Sequence, residues 1–355
     1  MKTVAIVQAR MGSIRFPAKV MRLICGTPMI GLLLNRLANS KLIDQIVLAT
    51  SEDPRNDPLV KYVCKLGYSV YRGSEDDVLD RYYQAAKEAE ADFVVRITGD
   101  CPLIDPVVVD EVISGFLKDK VDYASNIEPP TYPDGLDTEV FTFQALDTAW
   151  NQAKAPQERE HVTLFIRGSN NFSQVNFANA TDCSDERWTV DEPEDFELIH
   201  KVFEHFSPRR NFGWLEVLSL RKKHPEWFMP NSHLVRNQGL RFGTGQKLWK
   251  RAKKVIPGGS MLLSKRPEMF LPEQWPAYFS KAKGCRVWDL DGKEYIDMSI
   301  MGIGTNTLGY GHPEVDDAVR NVLDMGNMST LNCPEEVYLA EKLIELHPWA
   351  DMARF

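Results

Sequence analysis

The chain has 355 residues, 43% of them hydrophobic, and a formal net charge of −8. This length suits two domains with buried cores, and the acidic balance disfavours nucleic acid as a partner, because such proteins need a basic face. Six scattered cysteines, the lack of an apolar run of roughly 18–20 residues and a strand at the very start predict a cytoplasmic protein without a membrane span or signal peptide.

The first hundred residues alternate apolar strands with amphipathic helices. We predict strands at 3–8, 45–50, 68–72 and 92–98, and helices at 28–39, 57–66 and 76–90. This alternation predicts an α/β fold with a Rossmann-like, doubly wound, mostly parallel sheet covered by helices on both faces. Ligands of such sheets bind beyond the carboxyl ends of the strands.

The pattern changes after residue 120. Prolines and turn residues over 121–142 separate short extended pieces, which we interpret as an excursion that forms part of a pocket. Further segments complete a first domain, with helices predicted at 143–153, 157–168, 194–205 and 213–223 and an extended piece at 172–178.

Residues 231–246 lose periodicity and gain Gly and Asn, which predicts a linker between domains at 1–230 and 247–355. The second part begins with a helix at 247–256 and has a strand pair around 285–298 with a hairpin turn at Asp291-Gly292. Helices follow at 313–325 and 334–346. The end at Phe355 lacks the pattern of a completed domain.

A basic loop follows the first strand. Arg10, Arg15 and Lys19 place three cations within ten residues, together with Gly12 and the hydroxyl of Ser13. Gly12 can turn backbone N–H groups inward to form a concave anion site, and the cations add charge around it. An ordinary basic surface loop is the alternative. The strand before it and the helix after it favour a polyphosphate or nucleotide site.

Two carboxylates are candidates for a metal site. Asp100 follows the fourth strand in a Gly-Asp turn, so its side chain projects over the carboxyl edge of the sheet, facing the basic loop. An aspartate beside polyphosphate most plausibly holds Mg²⁺, which prefers oxygen ligands. In the acidic run 191–195, helix capping is the alternative role. We expect Asp195 to be structural and Asp191 to be the better metal candidate.

These residues recur in a known family. The chain resembles the cytidylyltransferases that make CMP-activated acidic sugars, and more closely their spore-coat-polysaccharide-type relatives. Seven ordered blocks over about residues 1–230 carry the resemblance: Gln8–Lys19, Gly26–Met29, Arg72–Tyr82, Thr98–Asp105, Gly135–Glu139, Arg159–Thr163 and Thr189–Asp195.

The resemblance implies a nucleotide-diphospho-sugar transferase type of fold and transfer of CMP from CTP to an acceptor, with release of pyrophosphate. It implies catalytic roles for Arg10, Lys19 and Asp100, and Mg²⁺ ligation by Asp100 and Asp191. Nucleotide-binding residues are then Ala9, Arg10, Gly12, Ser13, Arg15, Lys19, Arg72, Ser74 and Arg81. Acceptor-binding residues are then Asp137, Glu139, Arg159 and His161, with a structural role equally open for the histidine.

The acceptor stays open. Cys101-Pro102 after the metal aspartate belongs to the spore-coat type, whose acceptors range from acidic or amino sugars to small phosphorylated metabolites. A glycosyltransferase of related architecture is the main rival, but it usually carries a D-x-D motif, and the second aspartate is missing after Asp100. A non-catalytic nucleotide-binding scaffold is a second alternative. Relatives often form homodimers, so a homodimer is expected here too.

From about Gly245 the chain resembles another family, the class III pyridoxal-phosphate (PLP) aminotransferases of the glutamate-1-semialdehyde aminomutase type. The matching pieces are Leu248-Trp249, Ile256–Gly259, Ala282–Gly292 and Leu308–Pro313. They cover only about the amino-terminal quarter of that family, and Lys281, Lys283 and Lys293 lie in no Schiff-base motif. We therefore expect an incomplete fused aminotransferase segment that binds no PLP.

Overall fold

In the computed structural model, residues 1–13, 15–232, 243–272, 274–299, 301–326 and 330–355 are described. The chain divides into two units, Met1–Arg241 and Phe242–Phe355. Most of the predicted linker at 231–246 lies outside the described residues, so the proposed domain limits stay a prediction. None of the described helices is long and apolar enough to cross a membrane.

The first unit is built on a seven-stranded sheet. Its strands are β1 (Thr3–Gln8), β4 (Gln45–Ser51), β5 (Ser69–Gly73), β6 (Phe93–Thr98), β7 (Tyr123–Ser125), β8 (Glu139–Thr142) and β9 (Gln174–Asn176). The order is β5-β4-β1-β6-β8-β7-β9. Neighbours pair in parallel except on both sides of β8, which runs antiparallel to β6 and β7. The prediction of a mostly parallel α/β sheet is confirmed.

Helices connect and cover these strands. They are α1 (Met29–Leu37), α2 (Asp57–Lys65), α3 (Val78–Glu88), α4 (Pro106–Asp119), α5 (Phe143–Gln152), α6 (Pro156–Glu160), α7 (Leu164–Gly168), α8 (Pro193–Phe206), α9 (Trp214–Lys223) and α10 (Pro225–Phe228). Helix α4 was not predicted, because its Val-rich start has strand-like propensity. Asp105 caps it by accepting the Val107 N–H at 2.9 Å, and Pro106 occupies its first turn.

The region between the basic loop and α1 differs from the prediction. The loop does not lead directly into a helix. It leads into a 3-10 turn at Lys19–Met21 and a small hairpin of β2 (Leu23–Ile24) and β3 (Thr27–Pro28).

Two hydrophobic cores lie on opposite faces of the sheet. Alternation along β1 sends Ala5 and Val7 into one core and Val4 and Ile6 into the other. The first core is closed by α1, α2, α4 and α8, and the second by α3, α5 and α7. The central strands are therefore held from both faces, which fixes the positions of the loops at their carboxyl ends.

A close approach joins the ends of β1 and β6. The N–H of Gly99 donates to the Gln8 carbonyl at 2.8 Å. A Cβ atom on Gly99 would lie 2.6 Å from the Cβ of Ala9 and 2.7 Å from the Gln8 carbonyl oxygen. Only glycine fits here without displacement, and the contact brings the basic loop beside Asp100.

The second unit holds a three-stranded antiparallel sheet of β10 (Phe279–Lys283), β11 (Arg286–Asp289) and β12 (Glu294–Ile296). The hairpin turn falls where it was predicted, with Gly292 at a φ of 80°. Its helices are α11 (Thr244–Val255), α12 (Pro313–Asp324) and α13 (Pro334–Leu346). Neither α12 nor α13 buries a residue, and both expose large apolar side chains, including Val319, Leu323 and Leu339.

The Gly99 contact yields a stability prediction. Gly99→Ala must displace Ala9 or the Gln8 carbonyl, so we expect it to lower the free energy of unfolding by about 1–3 kcal/mol. Gly168→Ala is the control, since a Cβ there meets nothing within 4 Å. Urea unfolding followed by circular dichroism compares the two variants. Equal stability would contradict the tight approach of β1 and β6.

Candidate active site

The site centres on the Lys19 ammonium. Its Nζ donates to Asp100 Oδ2 at 2.9 Å, to Asp191 Oδ1 at 2.9 Å and to the Val190 carbonyl at 2.7 Å. Only 11% of the Lys19 side chain is exposed. The structure thus brings together three sequence-predicted residues from the loop after β1, the loop after β6 and the segment before α8.

The basic loop is held by its own backbone and by a neighbouring asparagine. The Met11 N–H donates to Asn56 Oδ1 at 2.7 Å, and the Met11 carbonyl accepts the Ala18 N–H at 3.1 Å. Ala18, at the end of the loop, has a left-handed backbone conformation with a φ of 56°. The Ser13 hydroxyl accepts the Phe16 N–H at 3.4 Å, which stabilises the turn.

Arg15 joins the same cluster. Its guanidinium lies 2.9 Å from Asp191 Oδ1 and 3.5 Å from Glu192 Oε1, and 40% of its side chain is exposed. Burial by itself raises the pKa of Asp191, but the charges of Lys19 and Arg15 outweigh it and lower that pKa to about 2. Burial likewise opposes the charge of Lys19, yet Asp100 and Asp191 raise its pKa. Lys19 and Asp191 are therefore both ionised at neutral pH.

Arg187, which the sequence analysis did not identify as a site residue, contacts the side chain of Asp191. Its guanidinium contacts Asp195, Asp134 and Asp191 and is 7% exposed. Asp195 is completely buried and accepts the backbone N–H groups of Asp191 and Glu192. Its environment is the structural one that was expected. An arginine four residues before a candidate metal ligand was the available sequence signal.

Asp100 and Asp191 fit a divalent cation. Both carboxylates are partly exposed and already share one cationic group, the Lys19 ammonium. Among the described residues, no group of three or more His, Cys, Asp or Glu could hold a metal. Two carboxylates suit Mg²⁺, which keeps several waters and commonly takes further ligands from substrate phosphates.

A second group of predicted residues lies near the ends of β1 and β5. Arg10 donates to Glu75 Oε1 at 2.8 Å. Arg81 is 3% exposed and donates to the Ser74 carbonyl at 3.0 Å. Burial lowers the pKa of Arg81, and the charge of Arg10 lowers it further, which places these two cations in each other's field. Ala9 ends β1 and donates its N–H to the Ala49 carbonyl at 3.3 Å.

Arg72 has a different environment from the one expected. Its guanidinium donates to Asp57 Oδ1 at 2.8 Å and to three backbone carbonyls between β4 and α2, those of Ser51, Glu52 and Asp53. These contacts hold the β4–α2 connection in place. The expected nucleotide contact of Arg72 stays a prediction.

Two of the expected acceptor ligands also have structural environments. Glu139 is 2% exposed, and its oxygens accept from Arg96, from the Tyr123 hydroxyl at 2.7 Å and from the Thr163 hydroxyl at 2.6 Å. Burial opposes its charge, but Arg96 and these hydrogen bonds lower the pKa of Glu139. These contacts connect β8 to β6, and the expected role of Glu139 in acceptor binding stays a prediction.

Arg159 is likewise bound within the protein. Its Nε lies 3.0 Å from both oxygens of Asp77, its Nη2 is 2.5 Å from Asp77 Oδ2, and its Nη1 donates to the Trp150 carbonyl at 2.8 Å. Asp77 also caps α3 through the Asp80 N–H. Arg159 therefore joins α6 to the start of α3, and its expected contact with the acceptor stays a prediction.

Asp137 and His161, the other two expected acceptor ligands, lie in different surroundings. Asp137 is half-buried and close to Cys101, whose thiol pKa is raised by burial and then by the charges of Asp100 and Asp137. His161 follows α6, and its carbonyl accepts the N–H of Thr163. Asp137 thus lies on the Asp100 side of the site, whereas His161 lies beside the Glu139 cluster.

Comparisons with known proteins show the family of the first unit. A profile of the cytidylyltransferase family matches residues 4–212. The spore coat polysaccharide biosynthesis protein SpsF of Bacillus subtilis is 32% identical over 62% of this chain and 94% of its own length. The structure of a cytidylyltransferase from Leptospira borgpetersenii is 33% identical, with a TM-score of 0.62 over 64% of this chain and 97% of that one.

The second unit matches a different family. A class III aminotransferase profile matches residues 272–355. Glutamate-1-semialdehyde 2,1-aminomutase of Methanococcoides burtonii is 38% identical over 30% of this chain, but the match spans only 24% of that enzyme. The resemblance to an aminotransferase fragment is confirmed.

The lowered pKa of Asp191 predicts a pH dependence. This pKa is about 2 in the folded chain against 3.8 ordinarily, so the folded state binds fewer protons than the unfolded one between these values. The stability that Asp191 contributes is complete above pH about 4 and is lost as the pH falls through about 2. Asp191→Asn should therefore flatten the rise of unfolding free energy with pH over this interval.

The measurement is urea unfolding at several pH values between about 2 and 5. Asp119→Asn, an exposed carboxylate at the end of α4, is the control and should keep the wild-type slope. Identical slopes for the Asp191 variant and the wild type would show that Lys19 and Arg15 do not hold this carboxylate.

Proposed function

We propose that this chain, which belongs to the cytidylyltransferase family, transfers CMP from CTP to an acidic or amino sugar or a small phosphorylated metabolite and releases pyrophosphate. The observation that carries the proposal is Lys19, held between Asp100 and Asp191 beyond the carboxyl ends of β1 and β6. This arrangement offers both a cation for phosphate oxygens and two carboxylates for a divalent metal.

The reaction requires an acceptor oxygen to attack the α-phosphorus. The bond from that phosphorus to the bridging oxygen breaks, and the electron pair leaves with pyrophosphate. Lys19 and Arg15 neutralise the charge that grows on the leaving group, and Arg10 binds the same triphosphate from the β5 side. Asp100 and Asp191 would hold Mg²⁺, which would supply Lewis-acid polarisation at the reacting phosphate.

The nucleotide end of the site consists of the loop after β1 and the segment after β5. Arg10, Gly12 and Ser13 supply backbone and side-chain donors from the loop, and Ala9 precedes them at the end of β1. Arg81 donates a hydrogen bond to the carbonyl of Ser74, and this pair lies next to Arg10. The choice of CTP over other nucleoside triphosphates rests on the family and not on the geometry of these residues.

The acceptor class follows from the relatives and from the Asp137 side of the site. SpsF is named for spore coat polysaccharide biosynthesis, which favours a sugar-derived acceptor for this chain. Asp137 and His161 are the candidate acceptor ligands. The proposal includes a cytoplasmic location, a homodimer as the working form and no nucleic-acid partner.

For the second unit, we propose that residues 247–355 are the leading part of a class III aminotransferase fused to the transferase. The apolar side chains on α12 and α13 are then a surface that the rest of an aminotransferase domain covers. An enzyme that installs an amine beside one that activates the product with CMP favours an amino sugar or amino alcohol phosphate as acceptor.

Pyrophosphate release tests the transferase proposal. The full chain is incubated with CTP, Mg²⁺ and a panel of acidic sugars, amino sugars and phosphorylated metabolites, and then with UTP, ATP or GTP in place of CTP. We expect turnover with CTP and at least one acceptor class. Turnover only with a sugar nucleotide as donor would instead support a glycosyltransferase, and nucleotide binding without turnover would support a scaffold.

Lys19→Ala sharpens that test. Removing one preorganised cation should reduce kcat by about 10²–10³-fold. The fold should persist, because Arg15 and Arg187 still neutralise Asp191. Lys118→Ala, an exposed lysine on α4, is the matched control and should retain full activity. Full activity of the Lys19 variant would contradict the role of the basic loop.

The absence of a Schiff-base motif predicts no PLP chemistry in this chain. Titration of the full chain with PLP should give no absorbance band of an internal aldimine, because no lysine lies in a matching motif. A complete class III aminotransferase serves as the positive control. An aldimine band that disappears on adding an amino donor would contradict the prediction.

A further inference from the structure

We infer that Arg187 is a positioning residue that orients Asp191, so that one oxygen of this carboxylate faces Asp100 and the cation between them. The inference deepens the proposed function and rests on it for the identity of the metal site. Arg187 touches neither Lys19 nor Asp100 in any described contact, so its effect passes through Asp191.

The Arg187 guanidinium is shared among three carboxylates. Its Nε lies 3.0 Å from Asp195 Oδ1, and its Nη2 lies 3.0 Å from Asp195 Oδ2, so that the two side chains form a bidentate ion pair. Nη2 also donates to Asp191 Oδ2 at 3.2 Å, and Nη1 to Asp134 Oδ2 at 3.2 Å. A planar guanidinium can make all of these hydrogen bonds simultaneously, whereas an ammonium group has no fixed planar arrangement of donors.

Asp195 carries the effect of Arg187 to the backbone. Its side chain is fully buried, and Oδ2 accepts the N–H of Asp191 at 2.9 Å and the N–H of Glu192 at 3.0 Å. The carboxylate therefore fixes the turn that begins α8. Arg187 thus holds both the backbone and the side chain of Asp191.

The two oxygens of Asp191 have different partners as a result. Oδ2 accepts from Arg187, while Oδ1 accepts from Lys19 at 2.9 Å and lies 2.9 Å from Arg15. Rotation of the carboxylate would break the Arg187 contact. Oδ2 is therefore held by Arg187, whereas Oδ1 faces Lys19, where the divalent cation is proposed to bind.

Asn231, near the carboxyl-terminal end of the first unit, contacts both Arg187 and its partner Asp195. It is 3% exposed, and its Nδ2 lies 3.0 Å from Asp195 Oδ1 and 3.1 Å from the Arg187 carbonyl. Asn231 is uncharged and contacts neither Asp191 nor Lys19 in any described hydrogen bond. It offers a second way to disturb the same support without changing the charge of the site.

A purely structural role for Arg187 predicts a different result from a positioning role. If the guanidinium only neutralises buried carboxylates, Arg187→Lys changes thermal stability and leaves metal binding unaltered. If it orients Asp191, the lysine keeps the charge but loses the fork, and the affinity for a divalent cation falls in chains that are still folded.

Mn²⁺ serves as the probe, with binding to the full chain measured by electron paramagnetic resonance, with and without CTP. We expect Arg187→Lys to weaken Mn²⁺ binding about 10–100-fold. Asn231→Ala should weaken it about fivefold, the factor that one lost neutral hydrogen bond implies. Arg209→Lys is the matched control, because its partner Glu216 forms an exposed ion pair, and it should change the affinity by less than about twofold.

Thermal unfolding identifies the folded variants, and Asn231→Ala decides the question if Arg187→Lys does not fold. Wild-type Mn²⁺ affinity in the folded variants, or no Mn²⁺ binding by the wild type with or without CTP, would overturn the inference. Arg187-dependent Mn²⁺ binding in a chain that releases no pyrophosphate from any triphosphate would support the inference and contradict only the proposed function.

Discussion

One buried ammonium between two carboxylates is the interaction on which this site depends. Burying a charge is costly unless it is paired and hydrogen-bonded, and Lys19 meets that condition with two aspartates and a carbonyl. Asp100 is 81 residues and Asp191 172 residues from Lys19. The pairing therefore exists only when β1, β6 and the segment before α8 have assembled.

The sequence predicted much of this assembly, because hydrophobic periodicity reports which face of an element is buried. Strands β1, β4, β5, β6 and β9 and most of the predicted helices of the first unit lie within a few residues of their predicted limits. The helix predicted at 157–168 is instead divided into α6 and α7. Helix α4 was missed because valines in its first turns suggest a strand, while its cap at Asp105 depends on one side-chain bond. The hairpin at Leu23–Pro28 was missed because each of its strands has only two residues.

The positions of site residues could be predicted where the topology of the sheet alone determines them. Lys19, Asp100 and Asp191 follow strands or precede a helix at one edge of the sheet, so the α/β pattern brings them together. The partners of Arg72, Arg159 and Glu139 could not be predicted, because they depend on which carboxylate or carbonyl a folded neighbour presents. Arg187 was missed for the same reason, since Asp134 lies on a distant segment and the contacts with Asp191 and Asp195 depend on how the turn before α8 folds.

The charge balance of the cluster links the two ligands that are proposed for it. Asp191 Oδ1 is neutralised by Lys19 and Arg15, and Asp100 by Lys19. If the phosphate oxygens of a bound triphosphate drew Lys19 and Arg15 away, Asp100 would lose the Lys19 counter-charge, and Asp191 would keep only its contact with Arg187. Two carboxylates at close range with reduced counter-charge are unfavourable, and a divalent cation would restore the balance. On the proposed function, the anion and the metal would therefore favour each other's binding.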